Sequence, residues 1–276
     1  MKLLQIGGGH HKNQIGLDMI CNHLKIEKTS SHNYREGFDI IYSSQKPLDK
    51  KAIYGPGMGT FPNDNAKKLT KGIYIQPSEW ASRVWHTDFN YKNVPVVPFP
   101  FPVDTEKFKP IDCEKQKVFV YFKHRTSRDL KTVLLFLKSK KIDYILIKYR
   151  HYKEENYLNI LQSSKYGIWV GGHESQGFAL EEALSCNVPL LVWSVTSMKQ
   201  ECAGFKYDDY KATTIPYWDE RCGEYFYEKE ELDSKFDTFI SKLDSYKPRD
   251  YIMENLSVEK CSERFLDLIN KYDLKN

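Results

Sequence analysis

An α/β protein of two lobes is what the sequence predicts. Three observations carry that expectation: short apolar runs alternate with helical spacing, a proline cluster interrupts the alternation once, and 276 residues suit two domains better than one. Lys2 to Ile6 reads as a strand running into Gly7-Gly8-Gly9-His10-His11, and Asn13 to Lys25 then carries Ile15, Met19 and Leu24 at roughly helical spacing. Further strands are expected at Phe38 to Tyr42, Ala52 to Tyr54, Gly72 to Ile75 and Val94 to Val97, with a helix from Ser78 to about His86. Pro95, Pro98, Pro100 and Pro102 follow in VPVVPFPFPVD, where each ring fixes φ and removes a donor. That stretch is the expected junction, and its stiffness suits two lobes facing each other across a cleft.

Beyond the junction the rhythm restarts. Strands are expected at Val118 to Phe122, Tyr144 to Tyr149, Gly167 to Val170 and Pro189 to Trp193, with helices near Arg128 to Lys138, Glu154 to Leu161 and Phe178 to Cys186 between them. After Tyr217 the pattern turns helical, at Glu230 to Leu243 and Ser257 to Leu268. The expected boundaries are 1–101 for the first lobe, 102–255 for the second and 256–276 for a terminal helix.

Composition narrows the class. With 41 Lys and Arg interspersed among 37 Asp and Glu, the net charge of +4 has no long single-sign block, so specific nucleic-acid binding is not expected. The six cysteines lie far apart without a C-x-x-C pair, which reads as reduced thiols in a cytoplasmic protein. No run approaches the roughly 18 apolar residues of a membrane span, which leaves peripheral membrane contact open.

The stretch GGHESQGFALEEALSCNVPLLVW carries the chemistry. Its loop, Gly171 to Gly177, follows a strand and precedes a helix, so the backbone N–H groups of Gly177, Phe178 and Ala179 favour an anion, above all a diphosphate. Glu174 stands in the loop and Glu182 about one and a half turns into the helix, with seven residues between them. Two acids flanking a diphosphate site suit the hydroxyls of a sugar and of a ribose. The same spacing also suits helix acids facing solvent at Glu181 and Glu182, with Glu174 near the cap.

HESQGFALEEAL resembles the E-x7-E segment of retaining glycosyltransferases of the GT-B type, particularly family 4 and its relatives. PFPFPVDTEKFKP is similar to that family's connector, with Val103, Asp104, Thr105 and Phe108 matching and Pro102 in place of the usual glycine, and IQPSEWASRVW is similar to its Ser-Glu-Trp segment. The resemblance implies two Rossmann-like lobes across a cleft, a C-terminal helix packing back toward the first lobe, and transfer of a sugar from a UDP- or GDP-linked donor with retention. It implies that Glu174 contacts the donor sugar, that Glu182 binds the ribose, and that Gly177, Phe178 and Ala179 meet the diphosphate. The cations expected to neutralise the leaving diphosphate are Lys123 and Arg125, with Arg128 a weaker candidate. Gly8, Gly9 and His10 occupy the place of the family's first glycine loop. Only about 100 residues precede the connector, so the resemblance implies a shortened first lobe and leaves the acceptor open among glycan, lipid and protein.

No metal or cofactor is expected, since the sequence contains no D-x-D. A dinucleotide-binding oxidoreductase needs glycine where Lys12 stands, and the loop around Ser175 is one residue too long for G-x-S-x-G. His173-Glu174 lacks the second histidine of H-E-x-x-H. A non-catalytic sugar-nucleotide or glycan binder, or an inactive partner subunit, remains as the alternative.

Overall fold

The apolar runs become strands of two parallel sheets, each completed by segments whose residues carry no such signal. In the computed structural model, which describes residues 1–202 and 208–276, the chain divides into two units. Unit 1 holds 1–104 and 255–276, and unit 2 holds 105–254.

Unit 1 contains β1 (Lys2–Ile6), α1 (His11–His23), β2 (Glu27–Ser31), β3 (Ile40–Ser43), β4 (Ile53–Tyr54), β5 (Ile73–Gln76), α2 (Glu79–Arg83) and β6 (Val96–Pro98). A π-helical turn, Val84–Asp88, continues α2. The sheet order is β2-β1-β3-β4-β5-β6, every pair parallel. Pro98 lies in β6, an edge strand, where a missing N–H costs no ladder bond on the open side.

Unit 2 contains β7 (Lys117–Lys123), α3 (Ser127–Ser139), β8 (Ile145–Lys148), α4 (Glu154–Gln162), β9 (Ser164–Gly171), α5 (Phe178–Ser185), β10 (Leu190–Trp193), β11 (Gly223–Phe226), α6 (Leu232–Ser241) and all but the last residue of α7 (Pro248–Asn255). Its parallel sheet runs β11-β10-β9-β7-β8. Val120, Ile168, Val170 and Leu191 are fully buried on one side of it, against Val133 and Leu137 of α3 and Phe239 of α6. Arg249 of α7 donates to the carbonyls of Thr105 (3.2 Å), Phe108 (3.2 Å) and Ser185 (2.8 Å), tying the connector to the end of α5.

The last helix, α8 (Val258–Lys271), packs on α1 in unit 1, with the Phe265 ring 5.9 Å from that of Phe99. Ser257 caps it by accepting from the Lys260 N–H at 3.4 Å. All six cysteines are free thiols. Among the described residues no helix is long and apolar enough to cross a membrane.

Both sheets share one topological feature. The first strand of each unit has the second on one side and the third on the other, so the chain reverses its direction of winding between β1 and β3, and again between β7 and β9. Such reversals open a crevice at the carboxyl ends of the two strands, where ligands of open α/β sheets bind.

Candidate functional site

In unit 2 the reversal point is framed by Lys123, the last residue of β7, and Gly171, the last residue of β9, which are paired in register. Gly172 N–H donates to the Lys123 carbonyl at 2.8 Å, carrying the ladder one step into the loop. The Lys123 ammonium then meets both carboxylate oxygens of Glu174, at 2.8 and 2.7 Å, and lies 4.5 Å from the centroid of the Tyr149 ring. Glu174 is further fixed by its own N–H, which donates to the Thr213 carbonyl at 3.0 Å. The side chains keep only 15% and 9% of their exposure, so this is an ion pair largely withdrawn from water.

Next comes α5. Its N-cap is Gly177, with φ +100° and no capping side chain, and Glu181 N–H donates to the Gly177 carbonyl at 2.9 Å. Helix geometry provides no intrahelical acceptor for the N–H groups of Phe178, Ala179 and Leu180. The left-handed backbone at Gly177 is what turns the chain so that the helix starts beside Glu174: a Cβ at 177 would stand 3.4 Å from Glu174 Cβ. Gly177→Ala is therefore expected to cost about 1–2 kcal/mol, read as a lowered urea midpoint with an unchanged m-value.

Three carboxyl groups converge here. Glu182, 5% exposed, lies within electrostatic reach of Tyr157 and Cys186. Glu181, 1% exposed, accepts from Gln176 Nε2 at 3.0 Å through Oε2, while its Oε1 has no hydrogen-bond partner among the described residues. Burial pushes the Glu181 carboxyl well above the usual carboxylate range; Glu182 and Glu174 add to that and the Gln176 bond opposes it. Neither Glu181 nor Glu182 faces solvent, because α5 is covered from Leu180 through Ser185.

Arg125 sits differently from Lys123. Its side chain is 5% exposed, with Nε on Asp129 Oδ2 (3.1 Å), Nη1 toward the carbonyls of Trp193 (3.4 Å) and Gly171 (3.5 Å), and the guanidinium 4.9 Å over the Trp193 ring. It ties the ends of β9 and β10 to the first turn of α3, which Thr126 and Asp129 cap reciprocally. Arg128 lies exposed one turn along.

Sequence reasoning had no signal for Glu201, which the fold brings under the loop. Its Oε1 accepts from the His173 N–H at 2.5 Å and also meets His173 Nδ1, and its side chain is 1% exposed. Gly172 permits this approach, since a Cβ there would lie 2.5 Å from Oε1. Nearby, burial, with Lys123 adding, holds the His124 imidazole below its ordinary pKa. Beneath the loop the Tyr121 and Trp169 rings stack at 3.9 Å, and Tyr157 Oη donates to the Ala179 carbonyl at 2.6 Å.

The other sequence candidates, Gly8, Gly9 and His10, belong to unit 1 and stand at its own reversal point. Ser44 Oγ, just beyond β3, donates to the Gly8 carbonyl (2.6 Å) and Gln14 Nε2 to that of Gly9 (2.7 Å). His10 is exposed at the N-cap of α1, its ring 4.7 Å from that of His11. Among the described residues no group of three or more His, Cys, Asp or Glu is placed to hold a metal ion.

No family model and no curated protein matches the sequence. Solved structures do match its fold. Sucrose-phosphate synthase from Thermosynechococcus elongatus superposes with a TM-score of 0.62 at 7% identity, over 98% of this chain and 98% of that one. The lipopolysaccharide outer core galactosyltransferase WaaB, in its apo form, gives 0.60 at 11% identity, over 98% and 99%. A point mutant of S. aureus TarM, solved in complex with fondaparinux, alpha-GlcNAc-glycerol and UDP, gives 0.54 at 14% identity, over 86% of this chain and 52% of that one. At these identities the likeness is one of architecture: the chain has an α/β fold of two parallel sheets whose structural neighbours are GT-B glycosyltransferases.

Proposed function

We propose that this chain is a glycosyltransferase that moves a sugar from a nucleoside-diphosphate donor, UDP- or GDP-linked, to an acceptor hydroxyl with retention of configuration and without a required metal. The observation that carries the reading is the Lys123–Glu174 pair at the β7/β9 reversal point, beside the N-terminus of α5, where Gly177 offers no side-chain cap. As the bond between the anomeric carbon and the β-phosphate oxygen breaks, its electron pair stays on that oxygen, the acceptor oxygen bonds to the carbon in its place, and the acceptor's proton ends on the departing phosphate. The Lys123 ammonium and the N–H groups of Phe178 and Ala179 would stabilise the charge that builds there, more in the transition state than before it. Glu174 accepts from hydroxyls of the sugar and Glu182 from those of the ribose. Arg125, by its contacts, acts on this site by holding the strand ends in place rather than by touching phosphate.

One observation favours a second reading. Lys123 and Glu174 already satisfy each other, as they would in a protein that binds a sugar nucleotide without turning it over. A panel of UDP-, GDP- and ADP-sugars separates the two: the enzyme releases nucleoside diphosphate slowly even without acceptor, whereas a binder gains thermal stability and releases none. Glu182→Ala is expected to weaken nucleotide binding about 10- to 100-fold, the worth of a lost hydrogen bond to a charged group. Calorimetric titration with the free nucleoside diphosphate measures it, and unchanged affinity removes Glu182 from the site.

A further inference from the structure

A concave surface lies in unit 2, along α3 and the turn that leads to β8. It is a groove of about 600 Å³ that begins at Ser127 and ends around Lys141 and Tyr144. Because α3 runs back from the carboxyl ends of the strands to the start of β8, the far end of the groove lies at the opposite edge of the sheet from Lys123 and Glu174. The donor reading leaves this surface unused.

Its floor is apolar, made by Leu130, Leu134 and Tyr144, all half-buried against the core, and Leu135 at 55% exposure stands beside them. Its rim is basic. Lys131, Lys138 and Lys141 line it and are exposed, and among the described residues none of them makes an ion pair. Lys140, by contrast, is taken up by Asp233 and Asp237. The one acid in the lining, Asp143, leaves three cations against a single carboxylate.

Charge selects the occupant. The lysines are spread along α3 and beyond its end, at Lys131, Lys138 and Lys141, so they suit a surface with many negative groups rather than a single anion. Leu135, exposed among them, suits an apolar layer just beneath those groups. We propose that this face of α3 docks the chain on an anionic bilayer surface, with lipid headgroups among Lys131, Lys138 and Lys141 and Leu135 at the boundary of the acyl region.

The test is sedimentation of the full chain with vesicles of phosphatidylcholine alone and with vesicles of equal parts phosphatidylcholine and phosphatidylglycerol. Binding is expected to the mixed vesicles only. The variant Lys131→Gln/Lys138→Gln/Lys141→Gln should bind them about 100-fold more weakly, and Leu135→Gln should weaken binding as well. Lys165→Gln/Lys247→Gln, which changes two exposed lysines elsewhere, should bind like the parent. Equal binding to both vesicle types, an equal loss in the control variant, or an acidic peptide displacing the mixed vesicles would each overturn the proposal. Because these lysines lie away from the donor site, a protein that turns over no sugar nucleotide can still pass this test.

Discussion

Lys123→Met is expected to lower the rate of sugar transfer about 100- to 1,000-fold, the loss seen when one preorganised donor to a developing oxyanion is removed. The same change strands Glu174, a carboxylate with 9% of its side chain exposed, and breaking a buried pair from one side costs about 3–5 kcal/mol, of which the remaining solvent contact returns a part. Rate and stability would fall together and confuse the result. The double variant Lys123→Met/Glu174→Gln separates them, since it removes both charges and should recover most of the lost stability while regaining no activity. Urea unfolding and nucleoside diphosphate release, measured on the two single variants and the double one, make the comparison. Recovery of activity in the double variant would mean that the pair holds the loop and does no chemistry.

The second large effect is on stability and depends on pH. Glu181 is buried with one carboxyl oxygen unpartnered, and its folded pKa lies well above the ordinary 4.5. Below that ordinary value both folded and unfolded states hold the proton, and Glu181 adds no pH dependence. As pH rises past it, the unfolded chain ionises while the folded one keeps its proton, so stability falls by about 1.4 kcal/mol per pH unit until the folded pKa is reached. Glu181→Gln keeps the shape and an acceptor for Gln176 but cannot ionise. Its stability should therefore exceed the parent's by a margin that widens from about pH 5 upward. Urea midpoints across that range test it, and a constant difference between the two proteins would show that Glu181 does not carry the proton.

How much of this is legible in the sequence depends on what each residue's pattern can encode. The strands and helices of unit 2 from β7 to β10 are readable because their apolar runs are short and their helices periodic. β2 is not, since Glu-Lys-Thr-Ser-Ser is polar on both faces and pairs only as a half-exposed edge strand. α7 is also hidden, because it opens on Pro248 within a charged segment and its buried residues, Pro248, Tyr251 and Ile252, span a single turn, too short to show a period. At the site, the glycine loop and the spacing of Glu174 and Glu182 are visible, being local. The separate roles of Lys123 and Arg125 are not, for a basic residue two positions after another carries the same charge whether it turns toward a carboxylate or toward buried carbonyls. Glu201 comes from a segment 28 residues beyond His173 and gives no local cue.

The division of the chain has a consequence for how the protein can be assembled. Unit 1 is left at Asp104 and rejoined at Asn255, and the N–H of Val103 donates to the carbonyl of Leu256 at 2.9 Å, so the points of departure and return are fastened side by side. An insert whose two ends meet can close on itself without prising its host apart. During synthesis it is the inserted half whose residues are all present first, whereas the host waits for α8 to cover α1.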